Sequence, residues 1–261
     1  MMQKISILFL VLLLNACGEN IQDDNAIQND RWQGQTDDYI PNEIVKNKML
    51  RGIEYMKLKK NTFALDILKK AVALDPNYGD AHHTLAYLYD RMKIIDGASW
   101  HYQKALSLKP NDPLIHNNYA QFLCQQKQWE TANKHFLQAV EHAQQWYPEI
   151  PYTNAGWCAL SYNNNFSQAK KYFHQALQKN KKYARPLYLL ALVNYKQKRY
   201  AQARHYLQQY ELNAKPTPQT VWLRIRVERF LNQNNAVSKY SLYLRQNFPT
   251  SQETQLLNQS P

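Results

Sequence analysis

Glycine is scarce in this sequence, with only six among 261 residues. No glycine-rich phosphate loop, nucleophile elbow or HExxH zinc pair occurs, so the common motifs for nucleotide binding and hydrolysis are missing. Cysteine is rarer still, at three. The eight histidines, among them His82-His83 and His135 with His142, lack the carboxylate or cysteine spacing of a metal site, and they read as surface or packing residues. Long apolar runs are absent too. The stretch Ile5 to Leu14 covers ten residues, half of the roughly 20 that a membrane-spanning helix needs. Acidic residues are outnumbered, 20 against 32 basic ones, for a formal net charge of +12; yet no nucleic-acid-binding motif accompanies that excess. Together these absences argue against an enzyme, a cofactor, a small-molecule substrate and a nucleic-acid partner. What is left is a module that binds other macromolecules.

Helix-forming sequence is plentiful. Gln, Ala, Leu and Lys abound, and there are 19 tyrosines, a helical composition with little turn chemistry. The region from Val45 to Asp112 repeats itself. Shifted by 34 residues, Gly52 falls on Ala86, Tyr55 on Tyr89, Ala64 on Ala98, Leu68 on Tyr102, Ala71 on Ala105 and Pro76 on Pro110. Small, aromatic, small, apolar, small and then proline at this period is the tetratricopeptide signature. Small residues at the eighth and twentieth positions let two antiparallel helices approach, and the proline ends the second helix because it has no N–H to donate.

The register continues. A third unit, 113–146, carries Ala120, Leu123, Ala132, Phe136 and Ala139. In the fourth, 150–183, Ala169, Phe173 and Ala176 keep their places, while Gly156 stands one position early and Trp157 takes the small-residue position. The fifth, 184–217, keeps Ala191, Tyr200, Ala203 and Leu207. Residues 218–251 read as a degenerate sixth unit, since an array needs an atypical end to cover its last apolar face. The expected fold is all-α, a right-handed superhelical solenoid of about six repeats over 45–251, with a frayed tail at 252–261.

Residues 1–16 read as a signal peptide, with Lys4 as its positive end. They close on Leu14-Asn15-Ala16-Cys17, which resembles the lipobox of bacterial lipoproteins and makes Cys17 the expected lipidation site; the alternative is ordinary cleavage nearby with Cys17 incidental. Gly18 follows rather than the aspartate of inner-membrane retention, so the resemblance implies the periplasmic face of the outer membrane. Residues 17–44 read as the lipidated N-terminus and a polar, acidic tether. Charge divides unevenly beyond it. Between Gly18 and Pro110 stand 13 basic and 13 acidic residues, and between Asn111 and Pro261 stand 18 and seven. A basic half of net +11 suits anionic lipid or an acidic partner, or is simply a solvated surface.

In register, Cys124 and Cys158 take positions twelve and nine of neighbouring first helices, which lie side by side. An oxidising periplasm favours a bridge; two unpaired small apolar side chains are the alternative. First helices line the concave face at positions 2, 5, 9, 12 and 13. That nominates Met49, Ile53 and Met56, then His83, Tyr87 and Arg91, then Asn117 and Gln121, Asn154 and Tyr162, and finally Tyr188, Leu192 and Tyr195. Methionines suit an adaptable peptide groove. The set lacks the Lys/Asn carboxylate clamp of chaperone-binding repeats.

Three segments exceed the repeat consensus: Asn117 to Cys124, Tyr152 to Leu160 and Thr217 to Arg226. With Arg245-Gln246-Asn247-Phe248-Pro249, they resemble the type IV pilus biogenesis/stability lipoproteins, the PilW/PilF pilotin family. Ala120 and Lys127 depart from it at positions where glycine is expected. The resemblance implies a lipid-anchored protein at the inner leaflet of the outer membrane. Its partner would be the type IV pilus secretin subunit, whose localisation and multimerisation it would promote. Another envelope machine, for outer-membrane protein assembly or polysaccharide export, is the rival reading.

Overall fold

How closely two helices can approach is set by the smallest side chain between them. In the computed structural model, which describes residues 43–143, 147–162 and 164–259, that rule shapes the helix pairs. A Cβ at Gly52 would lie 2.6 Å from the Leu68 side chain, and one at Gly156 would lie 2.5 Å from Phe173 and 3.1 Å from the Ala169 carbonyl oxygen. Ala86, Ala120 and Ala191 hold the same position elsewhere and are fully buried, as are their counterparts Tyr102, Phe136 and Leu207 on the second helices.

The pairs are α1 (Glu43–Lys57) with α2 (Asn61–Leu74), α3 (Gly79–Arg91) with α4 (Ile95–Leu108), and α5 (Pro113–Gln125) with α6 (Trp129–Glu141). They continue as α7 (Glu149–Ser161) with α8 (Phe166–Lys179), α9 (Ala184–Lys196) with α10 (Tyr200–Asn213), and α11 (Pro218–Phe230) with α12 (Asn234–Asn247). A last helix, α13, spans Gln252–Gln259. There is no strand among the described residues. Each pair packs on the next, and successive first helices touch one another. The fold is an all-α solenoid.

Helix starts follow local chemistry. The Asp112 carboxylate accepts the N–H groups of Leu114 and Ile115 at 2.9 and 3.0 Å, with Pro113 opening α5. At α11, Thr217 and Thr220 cap each other reciprocally ahead of Pro218. The turns inside the pairs share one geometry. Lys59, Lys93, Lys127, Lys198 and Asn232 have φ of 57, 60, 63, 58 and 55°. The next residue's N–H then returns to a carbonyl five positions back, as from Lys60 to Tyr55 and from Gln128 to Leu123, each at 2.9 Å. This is the Schellman closure, which normally favours glycine at the left-handed residue. Lysine there is strained by about 1–2 kcal/mol.

The fourth pair differs from its sequence register. Helix α7 begins at Glu149 rather than at 150, which puts Gly156 at the eighth position and swings Trp157 off the helix contact. The additional residue is absorbed in the turn, where Asn164 has φ of 48° and the Asn165 N–H reaches back to the Ala159 carbonyl at 2.9 Å.

The expected frayed tail is corrected by α13. Leu257 joins Val221, Ile225 and Leu244 in an apolar cluster, and the buried Thr254 hydroxyl donates to the Phe248 carbonyl at 2.7 Å. The helix covers the face that the sixth pair leaves open. That pair also exchanges volumes, with Ile225 buried at position eight and Ser241 at position twenty-four. Between the fifth and sixth pairs, Glu228, 1% exposed, receives Arg224 Nε at 2.7 Å and Arg204 Nη2 at 2.8 Å. Tyr240 Oη donates to Glu211 at 3.3 Å, and Arg224 lies 3.5 Å from Glu211. A buried carboxylate of this kind persists only because it is fully paired.

Two substitutions test this account in opposite directions. Gly156→Ala forces Cβ into Phe173 and is expected to lower stability by about 1–3 kcal/mol. Lys127→Gly removes the left-handed strain and is expected to raise it by about 0.5–1 kcal/mol, net of the entropy glycine adds to the unfolded chain. Urea denaturation followed by circular dichroism reads both.

Candidate protein-interaction surface

The inner face formed by the first helices sorts by repeat position. Residues at the fifth position point toward the neighbouring repeat and are covered by it; those at the ninth stay half-open. Met49 and Met56 are 2% and 5% exposed, packed with Val45, Leu68, Ala81, Leu85 and Leu88. They are core residues, so the methionine-lined mouth expected from the sequence is filled by α3. Of that trio only Ile53 is partly exposed. His83, Asn117, Asn154 and Tyr188 are buried as well. The accessible members of the nominated set are Arg91 and Tyr162, with Ile53, Tyr87, Gln121, Leu192 and Tyr195 half-buried.

The buried polar members are joined. The Asn118 amide lies 3.0 Å from His83 Nε2, and Asn118 Oδ1 accepts from Asn117 Nδ2 at 3.1 Å and from Gln121 Nε2 at 3.4 Å. Asn154 Nδ2 donates to Asn117 Oδ1 at 2.9 Å, and Arg185 Nη1 donates to Asn154 Oδ1 at 3.3 Å. This ladder crosses α3, α5, α7 and α9. Each rung satisfies a group whose orphaning would cost about 1–3 kcal/mol, so the ladder fixes how the four helices slide against one another. Cys124 and Cys158 form a disulfide between α5 and α7, with Cα atoms 6.0 Å apart. Ladder and disulfide hold the middle of the face in one arrangement before any partner arrives, which reduces the ordering cost of binding.

Where the fifth and sixth pairs meet, the face opens into a bay of about 380 Å³ lined by Tyr195, Trp222, Arg226, Arg229 and Phe230. The last four occupy positions five, nine, twelve and thirteen of the sixth unit. The positional rule that nominated the other residues applies to them equally; the degenerate landmarks of that unit hid them.

The histidines form pairs repeated in register. His82 and His101 face each other with Nδ1 atoms 2.9 Å apart, and His116 and His135 do so at 2.8 Å. Nε2 of His82 lies 3.0 Å from the Pro76 carbonyl and that of His116 lies 2.8 Å from the Pro110 carbonyl. These carbonyls are acceptors, so Nε2 of His82 and of His116 carries the proton. With burial holding the rings neutral, the Nδ1 atoms of His82 and His116 accept from those of His101 and His135. Burial lowers the pKa of each; for His101 and His135, brought to about 4, the facing His82 and His116 add to the effect. Among the described residues no group of three or more His, Cys, Asp or Glu is placed to hold a metal ion. The pairs stitch each first helix to its own second helix and to the preceding turn.

Helix pairs stacked into a solenoid at this spacing have the architecture of tetratricopeptide repeats. The tetratricopeptide family pattern matches at residues 161–219 and again at 101–132. Over 206 residues the chain is 29% identical to the type IV pilus assembly protein PilF of Pseudomonas aeruginosa, covering 78% of this chain and 81% of that one. The crystal structure of PilW, a widely conserved type IV pilus biogenesis factor, superposes with a TM-score of 0.73 at 25% identity, covering 83% of this chain and 99% of PilW. A structure of Pseudomonas aeruginosa PilF gives 0.69 at 26% identity, over 84% and 98%. In sequence and in fold the chain is similar to these type IV pilus biogenesis proteins.

The histidine pairs make stability depend on pH. In the unfolded chain histidine protonates near pH 6.5, whereas in the fold these rings stay neutral to lower pH. The unfolded state therefore binds more protons below about pH 6.5, and stability is full above that value and lost as pH falls toward 4. Urea midpoints measured between pH 7.5 and 5 are expected to fall steadily, and the variant carrying both His101→Gln and His135→Gln to show a flatter profile.

Proposed function

We propose that the protein is an outer-membrane-anchored pilotin: a scaffold that binds the secretin subunit of the type IV pilus and promotes its localisation and multimerisation. The observation that carries this reading is the similarity to PilF and PilW over about four-fifths of the chain, in sequence and in fold. The lipobox ending in Cys17 supports the anchor; the signal peptide, Cys17 and the tether as far as residue 42 lie outside the described residues, and the last two tether positions, 43 and 44, belong to α1. The half-open inner face supports the binding role, since a groove rigidified beforehand suits capture of an extended or helical segment. In this reading the scaffold binds subunits on their way into the ring, and by binding the assembly-competent form it raises that form's population. No step of chemistry is needed, and the protein acts as a binding module.

Membrane fractions from cells with and without the gene, immunoblotted for heat-resistant secretin multimers, test this. Loss of multimers with monomer retained is expected, and the pair Ile53→Asp and Tyr87→Ala should reproduce it in a folded protein. Cys17→Ser should shift the protein out of the outer-membrane fraction. Undiminished multimers in the deletion strain would overturn the secretin role; unchanged fractionation of the Cys17 variant would overturn the anchor alone.

A further inference from the structure

We infer that the bay between α9 and α11 is a separate docking point, built for an acidic peptide segment that presents an aromatic side chain beside an Asp or Glu. It concerns the far end of the inner face, and it does not depend on which envelope machine the protein serves.

Two arginines on α11 differ in how their charge is answered. Arg224 is buried and its charge is answered within the fold by Glu228 and Glu211. Arg226, two residues on, faces the bay and forms no ion pair with a carboxylate among the described residues. Its guanidinium is nevertheless held in place. Nε donates to Tyr195 Oη at 3.1 Å, and the group lies 4.5 Å over the Tyr195 ring. A guanidinium held over a ring, with its terminal nitrogens in no ion pair among the described residues, is pre-oriented for bidentate recognition of a carboxylate from outside.

Beside it stands an aromatic platform. Phe230 is 55% exposed, and it is fixed by parallel stacking on Tyr200 at 4.4 Å and by Tyr195 at 5.9 Å. Trp222 also lines the bay, with Arg229 6.0 Å from the centre of its ring. Tryptophan, tyrosine and arginine are the residues that dominate binding energy at protein interfaces. The bay has room for one aromatic side chain against Phe230 and Trp222 with a carboxylate against Arg226. The surrounding half of the chain, with 18 basic and seven acidic residues after Pro110, supplies a field that draws an acidic segment toward it.

The test uses the purified full chain in neutral detergent and a short fluorescein-labelled Gly-Ser peptide with a central Asp-Phe-Glu, followed by fluorescence anisotropy. Two control peptides carry Asn-Phe-Gln and Asp-Ala-Glu. The acidic aromatic peptide is expected to bind about tenfold more tightly than either control. Arg226→Gln and Phe230→Ala should each remove about tenfold, while Lys181→Gln, which deletes the same charge away from the bay, should leave affinity within about twofold. Thermal melts of Arg226→Gln and Phe230→Ala establish that they remain folded. Equal binding of the three peptides, no binding at all, or equal losses in Lys181→Gln and Arg226→Gln would overturn the assignment. So would displacement of the peptide by phosphatidylglycerol vesicles but not by phosphatidylcholine ones, which would make the bay a site for lipid headgroups. A secretin assay that fails while the peptide binds would sink the pilus reading and leave this one standing.

Discussion

The whole array depends on one contact repeated along it: a residue with almost no side chain on the first helix of a pair, pressed against a bulky one on the second. Gly52 on Leu68 and Gly156 on Phe173 leave no room for even a methyl group without displacement. That contact sets the separation within a pair, and the separation decides which residues reach the next pair. From it follow the burial of the fifth position and the half-opening of the ninth, and hence the composition of the inner face. The shift of α7 by one residue shows how strictly the contact is kept. The chain lengthens a turn at Asn164 rather than move Gly156 off Phe173. A large residue appears at position eight only in the sixth pair, where Ile225 is accompanied by Ser241 on the other helix; the volume is conserved and its owner changes.

Polar groups divide the labour along the stack. In the second and third pairs, histidines face one another within a pair and bind the preceding turn. From the second to the fifth, the amide ladder runs between first helices and fixes their relative slide. Between the fifth and sixth, the Arg204–Glu228–Arg224–Glu211 network takes over. A purely apolar stack would tolerate small displacements along its axis, because hydrophobic contact has little directional preference. Hydrogen bonds and ion pairs do have direction, and a chain of them gives the solenoid a single arrangement.

Much of this was legible in the sequence because the 34-residue period constrains so many residues at once. The helix pairs and the solenoid class followed from six landmarks, and PilF and PilW share the resulting fold. The fourth unit was readable apart from one residue, since an insertion inside a turn leaves the landmarks on either side intact and only their offset changes. Two expectations failed for a common reason. Met49 and Met56 were placed at an open mouth and residues 252–261 were expected to fray, because a positional rule describes one repeat and burial is decided by the next one. Helix α3 covers the methionines; the apolar face of the sixth pair gives Leu257 and Thr254 somewhere to pack. The bay at Trp222, Arg226, Arg229 and Phe230 went unseen for the converse reason, as its landmarks had drifted while its facing positions had not.

The disulfide between α5 and α7 has a mechanical meaning. A stack of repeats held by nearest-neighbour contacts behaves like a coil spring, and springs open by spreading their turns. A covalent strut of 6.0 Å between two adjacent turns on the inner edge removes that freedom at the centre of the coil. On either side the turns are held by noncovalent contacts alone, so tension applied along the axis spreads those before it spreads the two joined by the covalent bond.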